Sequence, residues 1–157
     1  MRHYRLTNQE RAATGFTDAY AIDHNDLTEA DGSQVLTLET LPNGTTTLYS
    51  DACMVCTEAF DEGATVSAVV AKVGHLEINN DNTANDDYFI VDGSLFTVDT
   101  FYGPAATTTG AGIYITANTP LTATFTVTGA TNAELTKGSC VIYFKIIRST
   151  DVVGAQG

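Results

Sequence analysis

Two cysteines in a Cys-x-x-Cys spacing are the residues of this chain whose types most directly suggest chemistry. Cys53 and Cys56, in the run CMVC, have the spacing of a redox dithiol or of half a zinc site. A redox dithiol needs a strand-to-helix turn that lowers one thiol pKa, whereas these cysteines lie in a β-type run where residues three apart face opposite sides. A zinc site needs two more ligands, and Cys140, His24 and His75 have no paired spacing. We expect buried thiols that hold no metal.

A second candidate site is a polar loop rich in oxygen donors, the ligands that Ca²⁺ prefers. The alternating donors are Asp81, Thr83, Asn85 and Asp87. An EF-hand loop has glycine at its sixth position, where this chain has Asp86. Two interpretations remain, a solvated polar loop and a weak structural cation site.

Residues that could form an enzyme active site are sparse. The three histidines, His3, His24 and His75, lie near no recognisable Ser or Cys nucleophile motif, and the chain has no phosphate-binding glycine loop and no HExxH. A cupin-like metal enzyme would need a clustered histidine set, which is also missing. The sequence therefore predicts no enzyme, with no catalytic, cofactor-binding or metal-ligating residues and no cofactor.

Composition indicates one folded domain with an uneven distribution of charge. The 157 residues are 43% hydrophobic and 17% charged, and their formal net charge is −12. Residues 1–11 carry three arginines and one glutamate, a net charge of +2, so the remaining residues carry four cations and 18 acids, a net charge of −14. An acidic surface repels nucleic acid and anionic membranes. Neither a membrane span nor a signal peptide is evident, and three cysteines do not predict a disulfide scaffold.

The elements that must position these residues are predicted to be β-strands. Runs of strand composition, separated by turn residues such as Pro42-Asn43-Gly44, occupy residues 34–41, 45–60, 65–78, 88–91, 95–101, 113–117, 121–128 and 140–147. About eight short strands indicate an all-β fold, an antiparallel β-sandwich of jelly-roll type. We expect an N-terminal arm or lead-in over residues 1–30, with one helical turn between Ile22 and Ala30, a sandwich over 31–150 and a tail over 151–157.

Two of these runs differ in how they distribute apolar residues. In the run 121–128, Leu121, Ala123, Phe125 and Val127 share one face and four threonines share the other, which predicts a strand with one buried side. The run 140–147 is apolar on both faces. It is either a central strand of the sandwich or a strand pressed against a neighbouring subunit.

The basic N-terminal segment also has two interpretations. Arg2, Arg5 and Arg11 are interspersed with Tyr4 and Leu6, so this segment either fastens to an acidic neighbour, such as the body of a sister subunit, or is a frayed terminus.

Two stretches resemble tailed-phage virion structural proteins. The first is AIDHNDLTEADGSQVLTLETLPNG, residues 21–44, and the second is LTATFTVTGATNAELTKGSCVIYFKII, residues 121–147. Some proteins of this kind are head decoration, or cement, proteins that form trimers on the outside of the capsid. The basic segment before Ala21 and the CMVC strand depart from the pattern.

The resemblance implies a capsid decoration protein, made in the host cytoplasm and located on the virion exterior. Its partners would be the major capsid protein and further copies of itself, in a trimer, with no nucleic acid and no membrane. The expected assembly interface comprises Arg2, Tyr4, Arg5, Arg11, Val141, Tyr143, Lys145 and Ile147. The alternative is a tail- or fibre-associated module that binds a glycan, with Tyr102-Gly103-Pro104 as the candidate loop.

Overall fold

A computed structural model of the chain describes residues 1–42, 46–49, 52–61, 65–75, 85–103, 112–114 and 118–148. Twelve strands lie within them: β1 (Arg2–Arg5), β2 (Asp18–Asp23), β3 (Ser33–Leu41), β4 (Thr46–Tyr49), β5 (Cys53–Asp61), β6 (Ala68–His75), β7 (Asn85–Ser94), β8 (Phe101–Tyr102), β9 (Gly112–Tyr114), β10 (Thr119–Thr128), β11 (Lys137–Phe144) and β12 (Ile146–Arg148). Helix α1 spans Asn8–Thr14, and 3₁₀ turns span His24–Asp26 and Asn132–Glu134. In this part of the chain, no helix is long and apolar enough to cross a membrane.

The strands form three antiparallel sheets. A five-stranded sheet has the order β1-β2-β11-β5-β8, a four-stranded sheet the order β3-β10-β6-β7, and a three-stranded sheet the order β12-β4-β9. The predicted all-β antiparallel sandwich is confirmed. The described strands outnumber the expected eight because β1 and β2 lie in the predicted lead-in, and because the predicted runs 45–60 and 140–147 are each divided between two strands. Most of the predicted run 95–101 is not a strand, since only Phe101 belongs to β8.

The two larger sheets share one hydrophobic core. Phe144 of β11 meets Phe89 of β7 edge to face, with ring centroids 5.4 Å apart. Phe60 of β5 lies against Phe125 of β10, with ring centroids 6.1 Å apart. These aromatic pairs join the five-stranded sheet to the four-stranded sheet, and the edge-to-face contact of Phe144 with Phe89 stabilises beyond the area that it buries.

Strand β10 confirms the predicted alternation, because Leu121, Ala123, Phe125 and Val127 are all buried. The opposite face is less exposed than expected. Thr122 is only 1% exposed, and of the four threonines Thr128 alone is exposed rather than buried or half-buried. The reason is position, since β10 lies between β3 and β6 and both neighbours cover its flanks.

The predicted N-terminal lead-in is built into the five-stranded sheet. Strand β1 pairs with β2, and β2 pairs in turn with β11. Helix α1 connects them, beginning at a reciprocal capping box between Thr7 and Glu10 and ending at Gly15, whose φ is 79°. The helical turn expected between Ile22 and Ala30 is present as His24–Asp26, capped by Asp23.

The two stretches that carry the family resemblance lie side by side. Strand β3 from the first pairs with β10 from the second. The second 3₁₀ turn also contacts the segment that follows the first, because the Ala133 amide donates to the Glu29 carbonyl at 3.0 Å and the Asn132 side chain donates to the Asp31 carbonyl at 2.8 Å. Stretches about a hundred residues apart thus form one continuous piece of the fold.

Candidate assembly surface

One face of the five-stranded sheet points away from the core, and we call it the outer face. The strand register aligns two rows of its side chains across β1, β2, β11 and β5: Tyr4, Ala19, Tyr143 and Cys53, and beside them Arg2, Ala21, Val141 and Val55. The alternate residues of β11, Cys140, Ile142 and Phe144, lie in the core. Apart from the arginine, these two rows consist of apolar and aromatic side chains, whereas the next row on the same face contains the polar Asp23 and Ser139.

A groove runs along this outer face, and we call it the outer groove. Its volume is about 420 Å³, and it is lined by Tyr4, Arg5, Leu6, Thr7, Glu10, Ala19, Ala21, Val141 and Tyr143. The groove exists because β2 places only alanines between the larger side chains of β1 and β11. Tyr4 is 46% exposed on one wall, and Tyr143 is half-buried on the other.

Four of the eight predicted interface residues line the outer groove, namely Tyr4, Arg5, Val141 and Tyr143. Their role as an interface stays a prediction. The other four lie in different places. Arg2 is exposed on β1, and Lys145 lies between β11 and β12. Ile147 pairs with Thr47 in the three-stranded sheet, so the predicted run 140–147 is divided between two sheets.

Arg11 has a local structural contact. Its side chain is half-buried, and its Nε donates to the Leu6 carbonyl at 2.8 Å. This contact links helix α1 to the end of β1, while Phe16, just after the helix, lies 5.6 Å from Tyr143 between ring centroids. Helix α1 and Phe16 therefore border the outer groove. No apolar periodicity in the sequence predicts their position there.

The opposite side of β1 is anchored by a histidine. The His3 ring stacks on Tyr20 with centroids 4.5 Å apart and an interplanar angle of 7°. Its Nε2 lies 2.9 Å from Oδ1 of Asp18, and the N-terminal amine is paired with Asp26. These contacts hold β1 against β2, which fixes the position of Arg2 and Tyr4 on the outer face.

A charged network joins the ends of all three sheets. Arg148 on β12 donates to both oxygens of Asp18 on β2, at 3.0 and 3.1 Å, and to Glu39 on β3 at 2.8 Å. The Tyr20 hydroxyl donates to the same glutamate, and Thr17 donates to Asp18 at 2.6 Å. Burial alone would raise the pKa of Asp18, but the bonds from Arg148, Thr17 and His3 lower it below its usual value.

His3, Asp18 and Glu39 are also the described residues whose ligand atoms lie close enough together, within 4.8 Å, to hold a metal ion. The Arg148 guanidinium is bound to both of these carboxylates. The group is therefore an ion-pair network in this structure, and it locks the sheets together rather than presenting open ligands.

The cysteines are buried, as predicted. Cys53, Cys56 and Cys140 are free thiols with at most 2% exposure. Cys56 faces Cys140 across the β5–β11 pair inside the core, whereas Cys53 faces Tyr143 on the outer side. Burial raises the pKa of Cys53 to about 12 and also raises the pKa of Cys140. Neither thiol is activated as a nucleophile.

The proposed calcium loop and the C-terminal tail are largely beyond what the structure covers. Asp81 and Thr83 lie outside the described residues, as do Pro104 and the tail 151–157. The remaining donors, Asn85 and Asp87, belong to strand β7.

No protein-family model matches the chain, and no curated protein matches it. Among solved structures, the chain is similar to the capsid of Ralstonia phage GP4, with 18% sequence identity and a TM-score of 0.47 over 85% of this chain and 84% of that chain. A match this loose transfers neither residue roles nor function to the chain.

Proposed function

We propose that this protein is a structural component of a tailed-phage virion that decorates the capsid exterior. In this proposal it binds as a trimer over junctions between major capsid subunits and stiffens the shell by bridging them. The observation that carries the proposal is the outer groove, an apolar surface on a rigid sheet with Tyr4 46% exposed at its wall. Exposed apolar surface of this kind is typical of protein–protein contact sites.

The family resemblance of residues 21–44 and 121–147 supports the same role, since these stretches pair as β3 and β10 in one unit of the sandwich. The network around Arg148 supports it physically. By joining all three sheets, it makes the domain a stiff body that can transmit load between two capsid contacts.

Decoration needs only weak individual contacts. Each interface would be repeated by the symmetry of the shell, so that many small contributions stabilise the assembled state by mass action. The acidic body, with a net charge of −14 outside residues 1–11, would keep unbound copies soluble and apart except where the docking surfaces fit.

The test uses capsids from a virus whose gene for this protein has been deleted. Purified protein is added, the particles are sedimented, and bound copies are counted together with the temperature at which the particles break. We expect binding to raise that temperature. Tyr4→Ser should raise the dissociation constant for capsids about tenfold and so lower occupancy at subsaturating protein, because a buried aromatic anchor contributes about 1.4 kcal/mol or more.

The matched control is Val35→Ser, which removes a 53% exposed apolar side chain from β3 in the other large sheet. It should bind as the wild type does. If folded Tyr4→Ser binds capsids as well as the wild type does, the outer groove is not the docking surface. If the wild type does not bind capsids at all, the protein is not a decoration protein.

A glycan-binding module of the tail or fibre is the second candidate. Phe101 favours it, because this aromatic residue is 65% exposed on the edge strand β8, beside Tyr102. Binding to a glycan array that is lost in Phe101→Ala, together with failure to bind capsids, would favour this alternative.

A further inference from the structure

The two larger sheets end in edge strands of opposite charge. Strand β1, at one end of the five-stranded sheet, has the sequence RHYR, and its Arg2 and Arg5 are exposed. Strand β7, at one end of the four-stranded sheet, has the sequence NDDYFIVDGS with three aspartates and no cation. Lys72 on the adjacent β6 is the one cation of that strand, so β6 and β7 together keep a net charge of −2.

From the opposite charges of these two edge strands we propose that β1 of one copy adds to the β7 edge of a second copy. The inference rests on the proposed function, because it names the contact by which copies of the decoration protein join one another. An edge strand presents backbone N–H and C=O groups that another strand can pair with. The β7 edge also exposes an apolar side chain, Val91 at 45%, which would be covered on joining.

The other edges of these two sheets fit β1 less well. Strand β3 carries one acidic residue, Glu39, whereas β7 carries three aspartates. Strand β8 consists of two uncharged residues, Phe101 and Tyr102. Within the described chain, β7 is thus the edge that complements a basic strand.

Charge also selects how copies pair. Two β1 edges would place arginines against arginines, and two β7 edges would place aspartates against aspartates, so both symmetric pairings are disfavoured. The contact that remains is head to tail. A head-to-tail contact between identical subunits closes into a ring or continues as a filament. Strand β1 is only four residues long, so each contact is short. Because the contact depends on exposed charges, salt should weaken it.

The test is a charge exchange in solution, without capsids. One variant carries Arg2→Glu and Arg5→Glu, and the other carries Asp87→Lys and Asp92→Lys. Their masses are measured by analytical ultracentrifugation in low salt at up to about 100 μM, where weak specific contacts are populated. We expect the wild type to associate, each variant alone to associate about tenfold more weakly, and an equimolar mixture to associate again, since every β1–β7 contact between the two variants pairs opposite charges.

Circular dichroism and thermal melting establish that both variants are folded. A wild type that stays monomeric throughout would overturn the proposal, and so would a mixture of folded variants that stays monomeric. Association of either variant alone at wild-type strength would point to a different contact and would also overturn it. Capsid binding is measured separately. If the wild type does not self-associate but still binds capsids, the β1–β7 contact is refuted and the proposed function is not. Intact association without capsid binding counts against the proposed function alone.

Discussion

Arg148 and Asp18 lie 130 positions apart in the chain, and the guanidinium of the first donates to both carboxylate oxygens of the second. Asp18 is fully buried, and the Arg148 side chain is 15% exposed. Because the same guanidinium also binds Glu39, one side chain ties together strands of all three sheets. The pair is therefore central to how the sandwich holds its shape.

Removing the arginine should destabilise the protein strongly. Arg148→Met leaves the Asp18 carboxylate buried without its cation, and we expect a loss of about 3 kcal/mol in the free energy of unfolding. Lys137→Met is the control, because Lys137 pairs with Asp61 at the surface with 53% of its side chain exposed. Its loss should stay below about 1 kcal/mol. Urea unfolding at neutral pH measures both, and similar losses would contradict the role of the network.

The same pair should make stability depend on pH in the acid range. The pKa of Asp18 is lower in the folded protein than in the unfolded chain, so the unfolded chain binds its proton more readily. The stabilisation is therefore complete above the unfolded pKa of about 4 and is lost as the pH falls through the folded pKa. The difference in unfolding free energy between wild type and Asp18→Asn should shrink as the pH drops below about 4. A difference that is constant from neutral to acid pH would contradict this.

Gly138 should not tolerate a side chain. Its φ of 128° is unfavourable for other residues, and a Cβ there would lie 2.6 Å from the Phe60 Cα. We expect Gly138→Ala to cost about 3 kcal/mol of unfolding free energy. Gly103→Ala is the matched control, because a Cβ at Gly103 meets nothing within 4 Å. Thermal melting compares the two, and equal melting temperatures would show that the close approach of Phe60 is unimportant.

The thiols should be unreactive until the protein unfolds. All three cysteines are buried, and burial raises the pKa of Cys53 to about 12, so few thiolates form near neutral pH. Ellman's reagent should label none of them in the folded protein and all three in denaturant. Rapid labelling of one thiol under native conditions would instead identify a redox-competent cysteine.

The sequence predicts those features of the fold that depend on the residues of a single strand. The alternation of β10 predicts its buried face because side chains of a strand alternate between the two sides. Burial of Thr122 on the other face depends on β3 and β6, which the local pattern does not contain. Likewise, the apolar run 140–147 gives no sign that the chain changes sheets at Lys145.

The N-terminal region illustrates a signal that was present but weak. Thr7 and Glu10 have capping-box spacing, and Gly15 is a suitable C-terminal cap, so the sequence contains signals for both ends of helix α1. Its seven residues carry no apolar stripe, so hydrophobic periodicity does not predict this helix. The outer groove could not be anticipated at all, since it depends on β1, β2 and β11 being neighbours.

Electron cryo-microscopy of decorated particles would show whether the outer face of the five-stranded sheet docks on a capsid. Capsids lacking the protein are imaged before and after purified protein is added. We expect new density on the outside of the shell, over junctions between major capsid subunits, with the groove beside Tyr4 and Tyr143 turned toward a protein neighbour. Density inside the shell or on the tail, or a sandwich whose outer groove faces solvent, would contradict it.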